Sequence, residues 1–261
     1  MITPTWTTIQ ADLRDEILTP TLNRPDRLNA FDRVMHRELG EAINHAAIAA
    51  GVRVIVLTGA GRAFSAGGDM SAAPPDAEDF AAEAEDARRI VFGMLDCDRP
   101  IVCRMNGDAI GLGATIALLS DVVVAAEDAR LADPHVRAGL VAGDGGALIW
   151  PLICGVMKAE ILSADRRHDA GHGGRTPGAD PRLVPKDDLD RETARIVSML
   201  RANAPLALKW TKRAINAHMD AIGRAIFETS LAHEGLTIMS SDHLEFRAAF
   251  REKRTPVFTG R

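Results

Sequence analysis

Cysteine is scarce in this chain, with only Cys97, Cys103 and Cys154 among 261 residues and no two of them closely spaced. An odd count without a C-x-x-C pair points away from a disulfide framework or a thiolate metal site, and leaves the three as small buried apolar side chains. Long apolar runs are missing too. The longest, residues 147–157, is interrupted by Pro151 and Gly155 and falls well short of the roughly 20 residues that cross a bilayer, so no membrane span is expected. Positive charge is in deficit: 31 Lys and Arg against 36 Asp and Glu leave a formal charge of −5. The basic residues are scattered rather than gathered into a stripe, so nucleic acid is not an expected partner. Residues 1–15 carry two acids and no continuous apolar core, which argues against an export signal and for a cytoplasmic location. No G-x-G-x-x-G occurs, since Gly111-Leu112-Gly113 lacks the third glycine, and no G-x-S-x-G stands at a strand-to-helix junction. These absences set aside a nicotinamide oxidoreductase and a serine hydrolase.

What is present reads as one mixed α/β domain. Residues 7–13 and 17–22 alternate polar and apolar, while 53–58 (RVIVLT), 101–104 and 122–126 are compact and rich in β-branched residues, as buried strands are. Residues 32–49 and 79–95 repeat apolar side chains at helical spacing between these strands, and the alternation of types gives an α/β fold. Residues 186–261 form a helical region that completes the same domain as residues 1–185. Within it the spacing predicts helices over 191–202, 205–217 and 221–239, with Pro205 at a helix start where its missing N–H costs nothing. Two stretches break the pattern. Residues 71–79 are small, acidic and proline-rich and read as a mobile loop. Residues 166–182 contain no aliphatic side chain larger than alanine, so they lack the burial that offsets the ordering of a chain and are expected to be irregular. A genuine loop explains that texture, and so does a reading-frame slip between Ser163 and Arg182. His168 and His172 lie four apart there, but on a Gly- and Pro-rich stretch with no helix to align them, so no metal is expected.

Two glycine-bearing turns carry the chemistry. Gly61-Arg62-Ala63-Phe64-Ser65-Ala66-Gly67-Gly68-Asp69 follows the strand ending at Thr58, and Asn106-Gly107-Asp108-Ala109-Ile110-Gly111-Leu112-Gly113 opens an apolar helix that runs to Leu119. Glycines at such junctions let the backbone turn sharply and approach a ligand with its N–H groups free. A helix N-terminus adds positive potential suited to an oxyanion. Either turn alone is an ordinary strand-to-helix connection.

Together they resemble the crotonase (enoyl-CoA hydratase/isomerase) superfamily. Its first signature is similar to residues 64–69 and its second to Met105-Asn106-Gly107 through Ser120-Asp121. Further likeness lies in Leu22-Asn23-Arg24-Pro25, Leu28-Asn29-Ala30, Ala132-Asp133-Pro134 and Lys253-Arg254-Thr255-Pro256. The resemblance implies a crotonase-like spiral of ββα turns whose C-terminal helices build a homotrimer or a dimer of trimers. It implies an acyl-CoA substrate, with no metal and no cofactor apart from the CoA that the substrate carries. The backbone N–H groups of Gly68 and Leu112 would hold the thioester oxygen and stabilise the enolate common to hydration, isomerisation and C–C cleavage. Arg27 and the Ala66 backbone would meet the CoA phosphates and adenine, with Lys253 offered from the C-terminal end of the same or a neighbouring subunit.

The acid–base positions depart from the family pattern. Where a hydratase of this family carries two glutamates that handle water, this chain has Thr115 and His135. Threonine is no base near neutral pH; histidine, with an ordinary pKa near 6.5, can be one. Asp144, in Gly143-Asp144-Gly145-Gly146, matches the place where some family isomerases carry an acidic catalytic residue, and an Asp before a helix is equally a preferred N-cap. Asp133 reads as a turn former before Pro134, close enough in sequence to His135 to orient it, and Thr115 as a helix residue or a hydrogen-bond donor, the former preferred. The expected function is an enoyl-CoA hydratase or double-bond isomerase in which Asp144 or His135 moves the proton. The other reading is a catalytically weak acyl-CoA-binding or scaffold protein of the same fold.

Overall fold

Residues 54–57 have no polar face because both sides of their strand are covered. The computed structural model describes residues 5–74, 76–157, 159 and 181–261. In it, β3 (Val54–Gly59) is buried throughout and lies inside a six-stranded sheet ordered β1-β2-β3-β4-β6-β8. The other members are β1 (Ile9–Arg14), β2 (Ile17–Leu22), β4 (Ile101–Met105), β6 (Val122–Ala126) and β8 (Arg182–Val184). β1 and β2 form an antiparallel hairpin, and every other pairing is parallel. Parallel neighbours need crossover connections, which cover the sheet on both sides and leave no polar face.

Alternate strand residues divide between two cores. Ile55, Leu57, Ile101 and Cys103 point into the main one, against Met35 and Leu39 of α1 (Arg33–Ile48), Ile90 and Met94 of α2 (Ala77–Asp96), and Ile116 of α3 (Leu112–Leu119). Leu148 and Trp150 of α4 (Gly146–Cys154) join the same cluster. Val54, Val56, Val102 and Val124 point the other way, onto Leu189, Ile196 and Val197 of α5 (Leu189–Arg201). Each such side chain, fully buried, contributes about 1.5–3 kcal/mol. Two aspartates set helix starts: Asp32 accepts from Met35 N–H and Asp76 from Asp79 N–H, both at 2.8 Å. Asp76 begins α2 two residues ahead of the expected start and closes the acidic stretch after residue 71.

The C-terminal region departs from the expectation of two helices over 205–217 and 221–239. A single α6 (Pro205–Ile238) of 34 residues runs through both, because His218-Met219-Asp220 contains no breaker and Gly223 packs against Leu148 inside the helix. α7 (Ser241–Glu252) follows. β5 (Ala109–Ile110) and β7 (Leu131–Ala132) form a separate parallel pair too short to leave a periodicity in the sequence. Of residues 166–182 only Pro181 and Arg182 are described, and Arg182 opens β8; the expectation for the rest lies outside the described residues. Cys97 and Cys103 are buried free thiols, and Cys154 is partly buried. Among the described residues no helix is long and apolar enough to cross a membrane. β3 and β4 end side by side, and their C-terminal ends feed the two glycine-bearing turns, as ligand sites of open parallel sheets do.

Candidate active site

The direction of each turn's N–H follows from what its peptide carbonyl does. Phe31 N–H donates to Gly67 O (2.8 Å), and Asp69 N–H donates to Phe31 O (2.9 Å). With the Gly67 carbonyl turned toward Phe31 and the peptide trans, the N–H of Gly68 faces the opposite way. In the second turn Gly111 O accepts from Thr115 N–H (3.0 Å), the first bond of α3. That geometry sends the Leu112 N–H out of the helix N-terminus, where it carries positive potential. Among the described residues neither N–H has an acceptor. The two turns are stitched edge to edge: Ile110 N–H donates to Ser65 O (2.9 Å), and the Phe64 and Ser65 N–H groups donate to Asp108 O (3.0 Å). Arg24 braces the first turn with ion pairs of 3.1 Å to both Asp69 and Asp32.

The short strand pair brings a third segment to the same edge. Ile110 stands opposite Ala132, and Gly111 N–H donates to Ala132 O (2.9 Å), so the chain leaving β7 emerges beside Leu112. That chain is Asp133-Pro134-His135. His135 Nδ1 donates to Asp133 Oδ1, and its Nε2 to Asp144 Oδ2 at 3.3 Å. Asp133 is 4 % exposed and is a buried partner of the imidazole, the orienting position that its closeness to His135 in sequence allowed. Burial pushes the His135 pKa down, but the carboxylates of Asp133 and Asp144 outweigh it and hold the ring well above its ordinary range. Burial likewise pushes Asp133 up, and the imidazolium beside it brings it below the usual carboxylate value. A carboxylate oxygen thus faces each ring nitrogen of His135. The N-cap reading of Asp144 is corrected: Gly145 occupies the N-cap of α4, and no side chain bonds there. Asp144 Oδ1 has no hydrogen-bond partner among the described residues.

Gly68, Leu112, His135 and Asp144 line one cavity of about 800 Å³. Arg27 and Ala66 line it too, linked by the Ala66 N–H bond to Leu28 O (3.0 Å). Ala66 therefore offers its carbonyl, and Arg27 is solvent-exposed and forms no ion pair among the described residues. Lys253 is not brought in: it sits exposed at the C-cap of α7 and does not line the cavity of its own chain. Thr115 is wholly buried in α3 outside the lining.

The family model described as enoyl-CoA hydratase/isomerase matches residues 13–261. The chain belongs to the enoyl-CoA hydratase/isomerase family. It is 31% identical over 258 residues to the 1,2-epoxyphenylacetyl-CoA isomerase of Escherichia coli (strain K12), covering 94% of this chain and 95% of that protein. Identity to the carnitinyl-CoA dehydratase of Citrobacter koseri is 34% over 254 residues, covering 94% and 95%. A crystal structure of an enoyl-CoA hydratase/isomerase from Mycobacterium paratuberculosis superposes with a TM-score of 0.82 at 34% identity, covering 93% of this chain and 98% of that one. The chain therefore has the crotonase architecture and is an enzyme of a family that acts on acyl-CoA.

Within this enoyl-CoA hydratase/isomerase fold, sequence reasoning missed one carboxyl group altogether. Glu234 of α6 is 8 % exposed and lines the cavity beside Asp144. It shares the buried face of the helix with Phe227, Leu231 and Ile238, so a carboxyl on an apolar stripe was the available signal. The glycines around Asp144 exist to admit such neighbours. A Cβ on Gly143 would meet Glu234 Oε2 and lie 2.7 Å from Glu234 Cβ and 2.8 Å from Ser230 O; one on Gly146 would collide with Asp133 Oδ2. Gly143→Ala is accordingly expected to destabilise the fold by about 1–3 kcal/mol through overpacking, measured by urea denaturation. An unchanged midpoint would show that α6 does not press on this loop.

Proposed function

We propose that this enzyme shifts a carbon–carbon double bond in an enoyl-CoA thioester, with Gly68 and Leu112 polarising the carbonyl and Asp144 moving the proton. The observation that carries the reading is the meeting of two acceptor-free backbone N–H groups and an incompletely bonded carboxylate in one cavity. Two donors aimed at the thioester oxygen stabilise the enolate and so ease removal of an α-proton by Asp144. His135 acts as a positioning residue: charged by its two carboxylates, it fixes the orientation of Asp144 and adds positive charge beside the developing enolate. Isomerisation is favoured over hydration because a hydratase must hold and activate water between two bases. Thr115 is buried away from the cavity, and His135 has no lone pair to give.

Arg27 and the Ala66 carbonyl are assigned to the CoA phosphates and adenine, and Lys253 to a neighbouring subunit's CoA. An oligomer, a homotrimer or a dimer of trimers, is supported by large apolar side chains left exposed along α6, among them Leu206, Trp210, Ile215 and Leu236. The test is mass spectrometry of a β,γ-enoyl-CoA and an α,β-enoyl-CoA incubated with the enzyme. With the two isomers resolved by chromatography before mass detection, isomerisation moves material between their peaks at constant mass, hydration gives a product heavier by one water, and a binding protein leaves both peaks unchanged; either of the last two results overturns the proposal.

A further inference from the structure

We propose that Glu234 is a second acid–base residue, a carboxylic acid that gives a proton to the γ-carbon of the substrate while Asp144 takes one from the α-carbon. The inference rests on the isomerase reading above and adds to it the missing half of the proton movement. A base alone removes a proton; a double-bond shift also requires one to be delivered two carbons away.

The geometry names the donor. Glu234 comes from α6 and lines the same cavity as Gly68 and Leu112, and its carboxyl packs on Gly143, next to Asp144 in the chain. Among the described residues Glu234 forms no side-chain hydrogen bond or ion pair. A buried carboxyl with no donor or cation beside it is kept in its neutral form, which is the form that gives a proton. Burial first, and then the Asp144 and Asp133 carboxylates and Glu83 of α2, outweigh the opposing His135 imidazolium and push the Glu234 pKa up to about 8. Asp144, by contrast, faces that imidazolium directly. Two carboxyl groups in one cavity thus have different surroundings, one ion-paired with the imidazole ring and one feeling it only at longer range, as an acid and a base need.

The step balances. The α-C–H bond breaks and its proton goes to Asp144. The electron pair spreads over a dienolate whose oxygen is held by the Gly68 and Leu112 N–H groups, and a new γ-C–H bond forms with the proton of Glu234. Asp144 is left protonated and Glu234 ionised, and proton exchange through the cavity restores both.

The two halves separate experimentally. In D₂O with a β,γ-enoyl-CoA, Glu234→Gln should lose about 100-fold or more of the isomerisation rate. It should keep deuterium incorporation at the α-carbon within about threefold, because Asp144 still removes and returns that proton. In the unaltered enzyme kcat/KM should fall as the pH rises through about 8, and that limb should be absent from the residual activity of the variant. Isomerisation retained in Glu234→Gln overturns the proposal. So does equal loss of exchange and isomerisation, or a pH limb that survives the substitution. An unaltered enzyme that neither exchanges nor isomerises fails at the parent reading instead, and the role of Glu234 falls with it.

Discussion

Asp144→Asn should lower kcat on an enoyl-CoA by about 10³-fold while KM changes little, since positioned general bases contribute roughly 10²–10⁴. The amide keeps the shape of the side chain and an oxygen to accept from His135 Nε2, but it takes up no proton. Binding is spared because the proposed CoA contacts, Arg27 and Ala66, lie on the first turn and the segment bonded to it. Stability should move little, because Gly145 rather than Asp144 caps α4 and Asp133 still faces the imidazole from the other side. Steady-state kinetics beside a thermal melt decide the matter. A variant that melts much earlier yet turns over normally would return Asp144 to a structural role.

Gly68→Pro should cost about 100-fold or more in kcat, the effect of deleting one oxyanion donor. Proline removes the N–H that faces away from Phe31 and leaves Leu112 to polarise the carbonyl alone. Its ring also restricts the preceding residue, here Gly67 at φ 80°, so a second variant is needed to separate chemistry from folding. Gly68→Ala supplies it: the added Cβ would meet only the end of Met70, at 3.4 Å, and the N–H remains. Alanine should therefore keep most of the activity that proline loses, with both variants checked by circular dichroism. Equal losses would move the carbonyl site away from Gly68.

The parts of the site legible in the sequence are those in which a local backbone conformation does the work. The glycines of residues 61–69 and 106–113 mark strand-to-helix junctions, and a donor at a helix start is a property of a few consecutive residues. Asp144 was legible as a residue, but capping and acid–base work place the same side chain before a helix, and that Gly145 takes the N-cap was not legible. The pairing of His135 with two carboxylates was not legible as a whole, because the partner at Asp144 is delivered by the turn over Val136–Ala138. Glu234 was hidden in a helix whose apolar and polar faces are poorly separated. Its partner loop lies far away in sequence, joined to it only by tertiary packing. Lys253 was placed by motif position, and a single chain leaves it outside the cavity.

The loop around Asp144 also ties chemistry to the order in which the chain assembles. The two glycine-bearing turns, to which the carbonyl donors are assigned in the proposed mechanism, need only β3, β4, α3 and the short strand pair, all complete by residue 132. The loop at 143–146 has close neighbours from Asp133, from Thr115 of α3 and from Glu234 of α6. A nascent or partly folded chain in which α6 has not docked therefore presents donors for a thioester oxygen without the wall that positions the proton carriers. On the proposed mechanism, turnover is then a report on the docking of α6 against residues 143–146.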